Sequence, residues 1–364
     1  MFVILFVVIG CAASIVAQSK KRMVAYYFYG DKNEIPKYTA AQIPYKKLTD
    51  LIHVAIHPAP SGDGTIQIAP GALEPELIPK AHAAKVRVLV CVQGAASLFS
   101  KIAADPAARL RFAASLKEFV IRYHYDGVDI DWEVPQGHAD VVNSVALMQA
   151  IRDALPSPRY LLSMATPSNP GRWGDYDFTS LTPIVDFYNV MTYDFHEPGT
   201  EHTGHNSPLF TDADDPSYEG SIDDSVNNYL NKFGVPPEKL NIGVAFYGYQ
   251  YPVSKMYSPC RCEKTAISRN YGSYIKQRIN KDGWVRHFDP IAMTPYLTHE
   301  NPPGFITYDG PQSIARKVAY ILQIRDLGGV FMWELSADYD GKNQDLLNSM
   351  HKAFVRAEAE DKKK

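Results

Sequence analysis

The strongest restriction on this chain is a pattern that repeats. Eight short apolar runs rich in β-branched and aromatic residues recur along it. They are "MVAYYFYG" (23–30), "LIHVAIHP" (51–58), "VRVLVCVQG" (86–94), "DGVDIDWEV" (126–134), "YLLSMATPS" (160–168), "VDFYNVMTYD" (185–194), "LNIGVAFYG" (240–248) and "GGVFMWEL" (328–335). Several of the segments between them have helical spacing. Residues 105–124 place Leu110, Phe112, Leu116, Phe119, Val120 and Tyr123 along one expected face, and 220–234 and 310–328 read the same way. Strands that alternate with helices are joined by crossovers and pair in parallel. Eight such units without a change of composition predict an α/β chain closed as a (β/α)8 TIM barrel rather than an open sheet.

One gap exceeds what a single helix needs. Residues 251–305 read as a small insertion between strand seven and the last helix. Loops that follow barrel strands carry function, so this one is expected to wall a binding cleft. The barrel is expected over 19–357, and the charged "EAEDKKK" of 358–364 reads as a frayed tail. At the other end, Phe2 to Ile9 form an apolar run too short to span a bilayer, followed by small residues to Ala17. Residues 1–17 therefore read as a secretory signal peptide, although a basic start is missing. The "VIGC" of Val8–Cys11, which resembles a lipoprotein cleavage box, stays open as an alternative. The expectation is a secreted, extracellular protein that leaves no membrane segment after cleavage.

Composition narrows the partners. With 37 basic against 40 acidic residues the net charge is −3, which offers no basic face to a nucleic acid or an anionic membrane. A hydrophobic share of 46% supports a full core and excludes a disordered chain. Cys91 lies in an apolar run and reads as core. Cys260 and Cys262 could share one bridge with another thiol, but their spacing matches no zinc site. No metal and no cofactor are expected, and the chain reads as a monomer.

The fourth run poses a chemical problem. Asp126, Asp129, Asp131 and Glu133 sit among Val128, Ile130, Trp132 and Val134. Side chains of a strand alternate, so Asp129, Asp131 and Glu133 share one face and the apolar set shares the other. Three unpaired carboxylates filed into a barrel lumen would each cost several kcal/mol, roughly, unless they share protons through hydrogen bonds. Neighbouring like charges then raise at least one pKa. Glu133 comes last, at the C-terminal mouth where barrel active sites lie, and a carboxyl kept protonated there is a general acid. A calcium site would want ligands spread around a loop with a glycine turn, not a period-two file containing a tryptophan. A solvated edge strand would not carry Val, Ile and Trp on its other face.

"DGVDIDWE" resembles the D-x-x-D-x-D-x-E signature of glycoside hydrolase family 18, the chitinases and their relatives. "MTYDFHEP", "TGHNSPLF", "LNIGVAFYGY", "FITYDGPQSIARKVAYI" and "GGVFMWELSADY" are similar to that family's later strands and loops, so the likeness runs from about Met23 to about Phe354. The resemblance implies a secreted chitinase acting within chitin or N-acetylglucosamine oligosaccharides. It would hydrolyse β-1,4 links with retention, through a substrate-assisted oxazolinium. By this resemblance Glu133 is the catalytic acid/base, Asp131 holds the substrate acetamide, Asp129 shares its proton, and Tyr193 hydrogen-bonds the acetamide carbonyl. Trp333 would form the floor under the sugar. Met191 and Asp194 would line the same subsite, and Tyr27 and Tyr247 would be walls. Asp126 is read as structural, holding the turn with Gly127, and Trp173 and Trp284 as optional platforms. The chain departs from the family's pattern at four places. Strand three reads "CVQG" where S-x-G-G is usual, putting Cys91 and Gln93 behind the acids. Val134 replaces an aromatic, and Tyr249 stands where an arginine is common. Two other readings share the barrel: a non-hydrolytic chitin-binding lectin, and a hydrolase of N-glycan chitobiose cores or peptidoglycan.

Overall fold

The computed structural model describes residues 21–28, 37–216, 220–361 and 363, so the expected signal at 1–17 lies outside the described residues. Eight parallel strands form the centre: β1 Arg22–Phe28, β2 Asp50–Pro58, β3 Arg87–Ala95, β4 Gly127–Glu133, β5 Leu161–Pro167, β6 Phe187–Met191, β7 Leu240–Ala245 and β8 Gly329–Trp333. Each pairs with its neighbours in sequence, and β1 pairs with both β2 (Tyr26 opposite Ile52) and β8 (Met23 opposite Val330). The sheet is therefore closed, a (β/α)8 barrel. Every expected strand is present, with ends that differ from the expected ones by one to three residues, mostly because apolar runs continue into the turns.

The outer helices are uneven. Pro106–Tyr123 starts on Asp105, whose carboxylate accepts the Ala107 N–H at 2.8 Å, and stops at His124 in the left-handed region. It buries Ala108, Phe112, Ala113, Leu116, Phe119 and Val120. Leu110, expected on that face, is 66% exposed. At 100° per residue it lies about 200° from Phe112, on the opposite side. After β5 the only helix is the short Phe178–Leu181, and after β1 the described residues hold one 3-10 turn, Tyr45–Lys47. The last helix, Asp345–Asp361, carries the tail expected to fray from 358 on through to 361.

The insertion is a five-stranded antiparallel sheet. Tyr247–Tyr251 and Gly304–Tyr308 lie in its interior; Ile267–Asn270 flanks the first, and Thr294–His299 then Val285–Asp289 flank the second. It therefore extends a few residues beyond 251–305 on each side. The unbroken aromatic run "VAFYGYQY" hides the corner at Phe246, where the chain leaves the barrel. Gly248 allows the close pairing: a Cβ there would lie 2.0 Å from the Thr307 carbonyl oxygen. A buried ion pair pins the insertion to the barrel. Lys317 Nζ meets Asp309 at 2.6 Å and Ser207 Oγ at 2.9 Å, joining the helix Pro311–Ala319 to the loop after β6. Cys260 and Cys262 are bridged to each other, and Cys91 is free and buried.

Candidate active site

Alternation along β4 separates the acids from the core as expected. Val128, Ile130 and Trp132 pack outward under the helices, with Trp132 stacked on Phe99 at 5.6 Å. Asp129, Asp131 and Glu133 point into the lumen. Parallel register sets Cys91, Gln93 and Ala95 of β3 beside Asp129, Asp131 and Glu133 in turn.

Asp129 lies deepest and is fully buried. It accepts Tyr26 Oη at 2.9 Å, Ser163 Oγ at 2.6 Å and Asn189 Nδ2 at 3.3 Å. Burial raises its pKa, while hydrogen bonds from Ser163, Tyr26, Cys91 and Asn189 pull the other way. Asp131, 3% exposed, accepts Gln93 Nε2 at 3.1 Å on Oδ2, and its Oδ1 is buried without a donor. Burial first, then the charges of Glu133 and Asp129, push it well above the carboxylate range. Two neighbouring carboxyls resist ionising together, so the first proton lost from this pair makes the second harder to remove. Glu133 opens to solvent at the mouth. Its pKa is raised by desolvation, lowered by the Asp131 bond, and raised by the charges of Asp194 and Glu197.

A cavity of about 200 Å³ opens over Asp131 and Glu133. Tyr26, Gln93, Ala165 and Met191 line it, with Tyr193, Asp194 and Trp333 on its other walls. Tyr193 is nearly buried, its ring edge-on to Tyr247 at 6.0 Å and Phe331 at 6.1 Å, and burial raises its pKa. Trp333 ends β8, its ring 5.5 Å from that of Tyr26. Asp194 takes a positive φ of 61° and accepts the hydroxyls of Tyr247 and Tyr249, the latter at 2.8 Å. Tyr247 thus serves the site by holding Asp194. A larger hollow of about 650 Å³ lies at the opposite end of the barrel beside Asp126 and holds none of the lumen acids.

Tyr27 is not a wall of this cavity. It is fully buried outside the barrel, stacked on His53 at 5.5 Å, with its hydroxyl on Glu74. Its neighbour Tyr26 lines the cavity instead. Both parities of β1 are apolar or aromatic, so sequence alone does not choose between them. Asp126 sits at the base of β4, accepting Val88 N and His82 Nε2, each at 2.8 Å. Gly127 is required there, since a Cβ would lie 2.1 Å from the Leu161 carbonyl oxygen. Trp173 is 49% exposed in the loop after β5, whereas Trp284 packs on His299 at 5.1 Å. Val134 fills the space over Gly174, where a Cβ would come within 2.8 Å of it. The donors around Asp129, namely Tyr26, Ser163 and Asn189, are the residues sequence reasoning missed. Ser163 and Asn189 show in the sequence only as polar residues inside the apolar runs "YLLSMATPS" and "VDFYNVMTYD", and Tyr26 only as one of two adjacent tyrosines in "MVAYYFYG".

A closed parallel barrel with a file of acids rising to its C-terminal mouth is the architecture of a glycoside hydrolase. The chain belongs to the glycosyl hydrolases family 18, whose family model matches residues 22–338. It is similar to Chitinase A1 of Niallia circulans, 32% identical over 284 residues, which cover 69% of this chain and 40% of that protein. It is also similar to a probable endochitinase of Caenorhabditis elegans, 32% identical over 271 residues, 70% of this chain and 43% of that one. The chain thus spans less than half the length of these two relatives. Among solved structures, Chitinase ChiA74 from Bacillus thuringiensis superposes with a TM-score of 0.80 at 26% identity, over 93% of this chain and 70% of that one. The Ostrinia furnacalis Group IV chitinase in complex with allosamidin shares the fold with a TM-score of 0.79 at 24% identity, over 93% and 100%.

Proposed function

We propose that this protein is a chitinase that cleaves β-1,4 links between N-acetylglucosamine units, with Glu133 as acid and base. The observation that carries the reading is the placement of Asp131 and Glu133 together in a cavity walled by Tyr193 and Trp333. In the reaction Glu133 gives its proton to the glycosidic oxygen, and the substrate's acetamido carbonyl closes on its own C1. Asp131 anchors the acetamide and offsets the positive charge of the oxazolinium, with Asp129 behind it. Water activated by Glu133 then opens the ring with net retention. Tyr193, whose hydroxyl has no partner among the described residues, is free to bond the acetamide carbonyl. Trp333 supplies an apolar face for the pyranose. The names of the relatives support the substrate class, as does the tobacco class V chitinase solved with a chito-oligosaccharide, NAG4.

Glu133→Gln tests the acid. It should abolish release from a fluorogenic chitotrioside while oligosaccharide binding persists; an unchanged rate would sink the assignment. Product analysis on a chitin-oligomer ladder, with N-glycan and peptidoglycan substrates alongside, reads endo habit, anomeric outcome and substrate choice. Binding without turnover on all three would make the protein a lectin. Secretion belongs to the same proposal, and a mature protein starting at Gln18 in the medium of expressing cells is the expected result.

A further inference from the structure

The hollow of about 650 Å³ at the far end of the barrel is lined quite differently from the catalytic cavity. It lies where strands begin: Arg87 opens β3, Asp126 precedes β4 and Tyr160 precedes β5. Three fixed cations line it, Lys85, Arg87 and Arg159, together with His82 and His124, and Asp126 is the single acid in the lining. Part of this charge is already matched. Arg87 meets the buried Asp50 at 2.7 Å, and Asp126 accepts His82 Nε2 at 2.8 Å. Lys85 and Arg159 have no carboxylate partner among the described residues. Neither has Arg122, which lines an adjoining hollow of about 440 Å³ that shares His82, His124 and Tyr125 with the first.

Helix ends account for a share of these cations. The helices Leu77–Ala83 and Pro106–Tyr123 both end beside the hollow. A helix C-terminus carries roughly half a negative charge, so the two together offset about one cation. Three cations lack a carboxylate, and a positive surplus remains. The overall charge of −3 hides it, because that figure sums the whole chain. Between the cations the walls are apolar: Val86, Val120 and Tyr125 are buried, and Ile121 is 50% exposed. Arg159 lies over the Tyr160 ring at 5.1 Å, which holds its guanidinium at the edge of the hollow.

We propose that this hollow binds a small polyanion, a sugar-sized molecule that carries two or more phosphate or sulfate groups. Its volume falls within the range of small-molecule sites and suits about one or two rings. Cations spaced around apolar walls fit a ring body with anionic esters at its edge. A guanidinium grips a tetrahedral oxyanion through paired N–H donors, and an ammonium adds a point charge. A nucleic-acid backbone would need a basic stripe along the surface, whereas these cations converge on one hollow. None of the lumen acids lines it, so the site stands apart from the chitinase reading.

Calorimetric titration of the intact protein tests the site. The phosphate probe is myo-inositol hexakisphosphate, the sulfate probe is a heparin-derived tetrasaccharide, and myo-inositol is the neutral control. At low salt, about 50 mM, at least one probe should bind saturably with one molecule per chain, and myo-inositol should not bind. The tighter probe identifies the ester. Lys85→Ala combined with Arg159→Ala should weaken that binding about tenfold or more, as two charge-assisted contacts are lost. Both side chains are exposed, so the double variant should unfold at the urea midpoint of the wild type. Lys264→Ala removes an equally exposed cation from the insertion and should leave binding unchanged. In the wild type, amide NMR shifts during titration should cluster at residues 82–87, 120–126 and 159–160. Equal weakening by Lys264→Ala and by the double variant would reduce the effect to general charge attraction and overturn the proposal. Shifts gathered around Glu133 and Asp194 would overturn it as well, and so would the absence of saturable binding by both probes.

Discussion

Replacing Tyr26 with Phe isolates one bond in the deepest part of the acid file. The ring stays, with its contacts to Phe331 at 5.4 Å and Trp333 at 5.5 Å, and only the hydroxyl that donates to Asp129 Oδ2 at 2.9 Å is lost. Asn189 Nδ2 lies 3.0 Å from that hydroxyl and keeps a second acceptor, Asp129 Oδ1 at 3.3 Å, so it is not left without a partner. A hydrogen bond to a buried charged group contributes about 1.5–3 kcal/mol, and no water reaches a fully buried carboxylate to replace it. At 1.36 kcal/mol per unit, the Asp129 pKa should rise by about one to two units.

Linkage turns that shift into a signature. Burial already holds the folded pKa of Asp129 above its unfolded value, so its proton-bound form favours the fold at low pH and that contribution fades as pH rises. The variant's higher pKa moves this loss to larger size at high pH. The stability difference between Tyr26→Phe and wild type should therefore be about 1 kcal/mol or less at acid pH, where the bond lost is neutral, and about 1.5–3 kcal/mol at pH 8. Urea unfolding of both proteins from pH 4.5 to 8.5 reads this as a gap in midpoints that widens with pH. A gap constant across that range would refute the reasoning, because it would mean that Asp129 does not ionise there or that Tyr26 is not its donor.

Lys317→Met should cost about 3–5 kcal/mol in urea unfolding by stranding the buried Asp309 carboxylate, and adding Asp309→Asn should recover most of it. Gly127→Ala should destabilise by about 3 kcal/mol or more, since its Cβ would meet the backbone of β5 at 2.1 Å; a near-neutral midpoint would show that the strands can part. Tyr249→Phe removes the 2.8 Å bond to Asp194 and should raise the Asp194 pKa, read by carboxyl NMR, by about one unit. Burial pushes Asp338 up to about 7. Because that is above the unfolded value, its contribution to stability is present at low pH and is lost as pH rises through about 7. Asp338→Asn should accordingly flatten the decline of Tm between pH 5 and 8.

The barrel was legible because eight β-rich runs separated by helical spacing leave few other closures. The acid file was legible because period two is a property of the backbone, not of context. What the sequence withheld depends on the third dimension. Leu110 and Phe112 are both apolar, and only the helix's rotation decides that one is exposed. Tyr26 and Tyr27 are chemically identical, and only the register of β1 against β2 and β8 puts the first in the cavity. The corner at Phe246 is invisible in an aromatic run that serves two sheets. Ser163 and Asn189 looked like minor polar breaks in β5 and β6, because their partner Asp129 lies on another strand.

Those hidden donors explain how the fold tolerates its acids. Donors to the file thin out from bottom to top. Asp129 accepts from Tyr26, Ser163 and Asn189, with Cys91 beside it; Asp131 accepts from Gln93; Glu133 faces solvent. Donors to a buried carboxylate favour its charged form and oppose the cost of burial. Solvent access runs the same way, with Asp129 fully buried and Glu133 open at the mouth. Desolvation is greatest at the bottom, and there the donors come from three other strands, Tyr26 from β1, Ser163 from β5 and Asn189 from β6. The charge that would unfold a bare lumen is thus met by hydrogen bonds where no solvent can reach it.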